Sequence, residues 1–136
     1  MADAAALALE LLEKVNTRDL EGFRELLHSD YTYRGADGVE HEGPDVGVGV
    51  VETFTTAFPD LKLTLVHQHT DGDVSVIEFN ARGTHQAELE GIPATGKSID
   101  VNVIDVITVR EGKVTGEREY YDQLTMVQQL GVIPTD

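Results

Sequence analysis

Residues 101 to 109 read VNVIDVITV, an alternation that turns Val101, Val103, Ile107 and Val109 toward one face of a strand, with Asp105 in the middle of the apolar set. The segment after the REGK turn (110 to 113) carries Glu117, Glu119 and Tyr121 at the same period of two. A three-residue turn with Gly112 as the bulge residue pairs Val109 with Lys113. It then sets Asp105 opposite Glu117 and Val103 opposite Glu119, all on one face. In that register Asp105 and Glu119 are diagonal neighbours, roughly 7 Å apart at the backbone. Carboxyl groups in an apolar wall cannot all ionise cheaply, because desolvation and mutual repulsion raise at least one pKa. Such a group takes or gives a proton near neutral pH, so Asp105 and Glu119 are the candidate acid and base. Two structural alternatives stand beside this reading. Glu117 and Glu119 reach solvent at an open sheet end or are neutralised by Arg118 and Arg82; or a two-residue turn pairs Asp105 with Arg118 as a plain ion pair.

The histidines are weighed in the same way. His67 and His69 lie two apart, but no third ligand is placed beside them, and they continue the Leu61, Leu63, Leu65 face toward a solvated sheet end; no metal site is expected. His85 continues the inward face of Ile77, Phe79 and Ala81, where it would hydrogen-bond a ligand or a backbone carbonyl. Tyr33 and His41 are expected at a pocket rim. GIPATGK (91 to 97) lacks the spacing of a phosphate loop and reads as an ordinary loop. Phe54, Phe79 and Val103 are expected, with Tyr33, His85, Glu117 and Tyr121, to contact a ligand.

Those side chains need elements to position them. Leu7, Leu11, Leu12 and Val15 form one stripe of an amphipathic helix over residues 2 to 15. Asn16 or Thr17 is expected to cap a second helix, with Leu20, Phe23, Leu26 and Leu27 facing the core. Residues 31 to 43 are polar and Gly-broken, a loop or short strand. Pro44 suits a first helical position, and Val46, Val50, Val51, Phe54 and Phe58 recur at helical spacing up to Pro59. Strands follow at 61 to 69, 74 to 82, 99 to 109 and 113 to 122. A Gly-bulge turn at TDGD pairs Leu65 with Ile77, Leu63 with Phe79 and Leu61 with Ala81. Helices first and antiparallel strands afterwards describe an α+β domain, a curved sheet wrapped round helices on one face.

Composition narrows the function classes. A chain of 136 residues reads as one domain. With 10 Lys and Arg against 25 Asp and Glu, the formal net charge is −15, which repels phosphate backbones and anionic lipid heads. Neither nucleic acid nor membrane is therefore an expected partner. The sequence has no cysteine, which removes thiolate catalysis and disulfides and fits a reducing cytosol. MADAAALALELLEK carries acids where a signal peptide carries bases, so a soluble, cytoplasmic protein is expected.

The order and spacing of HSDY (28 to 31), HEGP (41 to 44), AFPDL (57 to 61), GTH (83 to 85), GIPATGK, REGKV (110 to 114) and EYYDQLTMVQQLG (119 to 131) resemble those of the SnoaL-like polyketide cyclases, within the nuclear transport factor 2-like superfamily. The resemblance covers nearly the whole chain. It implies a cone-shaped α+β barrel with a deep apolar pocket, a hydrophobic small-molecule ligand, a homodimer packed through outer sheet surfaces, and aldol chemistry without metal or cofactor. It further implies that the family's last-strand general acid/base, usually Asp, falls on Glu119, and that a site His on the preceding strand falls on Asp105. Asp122 matches a commonly acidic position but has the opposite parity to Glu119, and is expected to anchor the turn into a C-terminal helix around residues 125 to 130. The leading expectation is proton abstraction next to a carbonyl by Glu119, with Asp105 holding or sharing the proton. A non-catalytic binding or scaffold module is the first alternative. Epoxide opening by an Asp, Arg, Asp set ranks below it, because Arg118 falls on the outer face.

Overall fold

Residues 3–133 are described by a computed structural model. The elements are α1 (Ala4–Asn16), α2 (Leu20–Glu25), β1 (Leu27–Arg34), β2 (Glu40–Glu42), α3 (Pro44–Ala57), β3 (Lys62–Asp71), β4 (Val74–Thr84), β5 (Ser98–Arg110), β6 (Lys113–Tyr120) and α4 (Gln123–Gln129). Six strands form one sheet in the order β2-β1-β6-β5-β4-β3, antiparallel throughout except for the parallel pair β1 and β6. The leucine stripe of α1 buries Leu7, Leu11, Leu12 and Val15 against the inward sheet face. There they meet Ile77, Phe79 and Ala81 of β4 and the alternating set Ile99, Val101, Val103, Ile107 and Val109 of β5.

Local chemistry sets the element ends. Asp19, rather than Asn16 or Thr17, caps α2, its carboxylate accepting from the Gly22 N–H at 2.8 Å. Asn16 does a different job. Its side-chain amide donates to the Leu63 carbonyl and its oxygen accepts the Leu63 N–H, both at 2.8 Å, which ties α1 to the edge strand β3. Leu27 opens β1 instead of extending α2, and residues 31 to 43 contain the second half of β1 and all of β2 where a loop or short strand was expected. Pro44 does start α3. Asp60 of the AFPDL segment accepts from the Thr84 N–H at 2.7 Å and its hydroxyl at 2.8 Å, joining that segment to GTH. Asp122 caps α4 through the Thr125 N–H and hydroxyl, which is the anchoring role its parity suggested.

Both hairpins depart from the expected register for one reason. Their turns hold two residues, closed by Asp71 with Val74 and by Arg110 with Lys113. At the second, φ is 55° at Glu111 and 76° at Gly112, the left-handed pair whose twist matches the flanking strands. The extra residue sits farther along each ladder. Val66 is inserted between Leu65, paired with Phe79, and His67, paired with Glu78; Thr115 is inserted between Val114 and Gly116. Each insertion restores the parity that a two-residue turn alone would have reversed. Asp105 thus lies directly opposite Glu119 rather than Glu117, and Glu117 lies opposite Ile107. On β3 the bulge sends His67 and His69 to the outer face, where both are exposed, and brings Gln68 opposite Ile77. Gln68 then donates to the Ala5 carbonyl and the buried Ser75 hydroxyl.

Candidate active site

The acids come from two adjacent strands and are held from a third. Asp105 on β5 and Glu117 on β6 are 3% and 6% exposed; Glu119, opposite Asp105, is partly buried. Directly opposed residues have Cβ atoms about 5 Å apart, closer than the diagonal arrangement expected from sequence. Parallel pairing of β1 with β6 sets Tyr33 beside Glu117 and turns Tyr31 and Tyr33 inward. The Tyr31 hydroxyl donates to Glu117 at 2.5 Å, and the Tyr33 hydroxyl donates to Glu119.

These neighbours raise the proton affinity of Asp105 and Glu119. Burial first, then the charge of Glu117 and a hydrogen bond with it, then the charge of Glu119, push the Asp105 carboxyl well above the usual carboxylate range. Burial and the Glu117 charge push Glu119 up to about 7, against the Tyr33 hydrogen bond that lowers it. Burial and the adjacent carboxylates push both tyrosines up, so their hydroxyls remain donors at neutral pH. At pH 7 Glu119 is therefore poised near its midpoint, beside an Asp105 carboxyl whose proton is held more tightly than an ordinary carboxyl's.

A cavity of ≈ 120 Å³ adjoins these groups; with its mouth the empty space reaches ≈ 870 Å³. Leu11, Leu12 and Val15 of α1, Val50, Val51 and Phe54 of α3 and Met126 of α4 form its helical walls. Tyr33, Phe54, Phe79, Val103, Asp105, Glu117, Glu119 and Tyr121 all line it, so eight of the ten candidate residues meet at one cavity. His85 does not. It is fully buried outside the lining, its ring 5.4 Å from Phe58 and its Nδ1 3.0 Å from the Thr95 hydroxyl, where it pins the loop between β4 and β5. The extended backbone turns to loop after Thr84, which ends the alternation that pointed His85 inward. His41 lies on the exposed edge strand β2, away from the lining. Arg118 is paired with Val106 on the outer face and exposed, so no Asp, Arg, Asp set forms around the cavity among the described residues.

Sequence reasoning missed Tyr31 and Gly47. The period-two pair in YTY (31 to 33) was the available signal for Tyr31. Gly47 carries no signal of its own: a Cβ there would lie 2.7 Å from the Tyr31 hydroxyl oxygen and 2.8 to 2.9 Å from its ring. Gly47→Ala is expected to destabilise the fold by about 1–2 kcal/mol, since overpacking of about 1–3 kcal/mol exceeds the helix-propensity gain of at most about 1 kcal/mol. Urea denaturation measures this, and an unchanged midpoint would show that Tyr31 has room to move.

A curved mixed sheet closed by helices over an acid-bearing apolar cavity defines a nuclear transport factor 2-like α+β domain. Within that class the chain belongs to the SnoaL-like polyketide cyclase family, whose model matches residues 6–130. It is 27% identical to the aklanonic acid methyl ester cyclase DnrD of Streptomyces peucetius, over 96% of this chain and 92% of that protein. Among solved structures it is similar to IdmH of Streptomyces antibioticus, a candidate polyketide cyclase, with 28% identity, a TM-score of 0.82 and coverage of 96% of this chain and 100% of that one. A candidate SnoaL-like cyclase from Jannaschia sp. CCS1 superposes with a TM-score of 0.88 over 96% of this chain and 93% of that one, at 19% identity, a likeness of fold. No helix among the described residues is long and apolar enough to cross a membrane.

Proposed function

We propose that this protein is an acid–base enzyme of the cyclase type, which deprotonates a hydrophobic compound next to a carbonyl and lets the resulting enolate close a ring or isomerise. The observation that carries the reading is the opposition of Asp105 and Glu119 in one apolar cavity, where burial and neighbouring charge raise the proton affinity of both. The Glu119 carboxylate takes the α-proton, and the C–H electron pair moves into the enolate. Asp105, holding its proton, donates a hydrogen bond to the enolate oxygen as charge develops there. In ring closure the enolate carbon attacks a second carbonyl, and the new alkoxide recovers the proton from Glu119. Only proton transfers between ligand and side chains are needed. The likeness to aklanonic acid methyl ester cyclases supports ring closure on an apolar polyketide ester as the form this chemistry takes. The partner proposal accompanying this reading is a second copy of the chain, docked through the outer sheet face. Sedimentation at twice 14.9 kDa is expected, and sedimentation at 14.9 kDa would remove it.

The test is hydrogen exchange. Wild-type protein in deuterium oxide is expected to label the α-carbon of apolar aryl β-ketoesters, and Glu119→Gln to lose that labelling while still binding them. Binding without exchange in the wild type would favour a non-catalytic module of the same fold.

A further inference from the structure

We infer that the cavity is also a binding site for hydrophobic amines in their ammonium form, with the nitrogen seated against Asp105. The first observation is a buried acceptor with nothing to accept from: Asp105 Oδ1, on a residue 3% exposed and lining the cavity, has no hydrogen-bond partner. The second is the composition of the wall. Three carboxyl groups converge from β5 and β6, and among the described residues the lining contains no Lys, Arg or His.

The remaining polar groups do not relieve the imbalance. The hydroxyl protons of Tyr31 and Tyr33 are already directed to Glu117 and Glu119. The charges of Glu90 and Asp37 reach Tyr121, which lines the cavity, and add to that of Glu119. Helices α1 to α4 contribute only apolar side chains and Gly47 to the wall, so among the described residues no titratable group lines the cavity from that side. Phe54, Phe79, Tyr33 and Tyr121 offer aromatic surface, which attracts cations. A carboxylate ligand would add a further anion to an uncompensated group, and an alcohol would satisfy Oδ1 without answering the charge. An ammonium on an apolar body answers both. Its arrival also opposes the repulsion that pushes Asp105 and Glu119 up, so binding below about pH 7 is coupled to proton release. This inference concerns occupancy and not turnover, so it stands or falls separately from the proposed reaction.

Benzylammonium, benzyl alcohol and benzoate are the probes, titrated into the full chain by calorimetry at neutral pH. Benzylammonium is expected to bind at least about tenfold more tightly than benzyl alcohol, and benzoate more weakly than either. In the Asp105→Asn, Glu119→Gln double variant the preference for the ammonium is expected to shrink to about twofold or less. Equal or tighter binding of the alcohol or of benzoate would overturn the inference, as would a preference that survives in the double variant. A second measurement needs no variant. Titrations of the wild type at about pH 6.5 in two buffers of different ionisation enthalpy should show protons released on benzylammonium binding, and zero release would overturn the inference equally.

Discussion

Glu119→Gln is expected to lower turnover about 10³-fold with little change in ligand affinity. The substitution keeps the size of the side chain and its capacity to accept from Tyr33, but removes the group that takes the proton. A positioned general base contributes about 10²–10⁴-fold, and an apolar cavity offers water little room to substitute for it. Steady-state kinetics on an exchangeable β-ketoester measure the effect. The pH profile carries the same assignment. Wild-type kcat should rise with pH as Glu119 ionises through about 7, and fall at higher pH as Asp105 loses the proton it donates. Asp105→Asn keeps a donor in the form of an amide N–H, so its loss should be smaller, about tenfold, and the alkaline fall should disappear. A Glu119→Gln variant within about threefold of wild type would assign the chemistry elsewhere.

The same variant should be more stable than the wild type at alkaline pH. Glu119 is raised from an ordinary glutamate value to about 7, so between about pH 4.5 and 7 the folded protein binds more protons than the unfolded chain. Stability attributable to this group therefore falls as pH rises through that window, and the penalty is fully present above it. Asp105, also raised, adds a penalty of the same sign. A shift of this size corresponds to about 3 kcal/mol for a fully enclosed group; partial solvent contact at Glu119 reduces the expectation to about 2 kcal/mol. Thermal or urea unfolding of Glu119→Gln should show that gain near pH 8 and almost none near pH 4.5. Equal stability of the two proteins at both pH values would mean that Glu119 sits in a water-like environment. A site that costs folding stability in this way is what function at the expense of packing looks like.

How much of this was legible in the sequence depends on how local the determining contact is. The stripe of α1 and the alternation of β5 are local patterns, and both read correctly. The common face of Asp105, Glu117, Glu119 and Tyr121 was also legible, because it depends only on parity. Their exact pairing was not. A Gly-bulge turn and a two-residue turn followed by a bulge at Thr115 give the same face, and only packing beyond the turn selects between them. Tyr31 was hidden for a topological reason. Its strand pairs in parallel with β6, more than 80 residues away in sequence, and no short-range signal announces such a contact. Gly47 became informative only once Tyr31 was known to point at α3. His85 shows the converse error: extrapolating a strand's period past its end placed inside the cavity a residue that clasps a loop instead.

The raised proton affinities of the opposed pair can be measured without a substrate. Infrared difference spectroscopy across a pH titration, with Asp105→Asn and Glu119→Gln as assignments, follows each carboxyl directly. A protonated-acid carbonyl band that persists at pH 7 and is absent from Asp105→Asn is the expected result, together with a second band lost with a midpoint near about 7 and absent from Glu119→Gln. Ionisation of both groups at ordinary carboxylate values, complete by about pH 5, would contradict it.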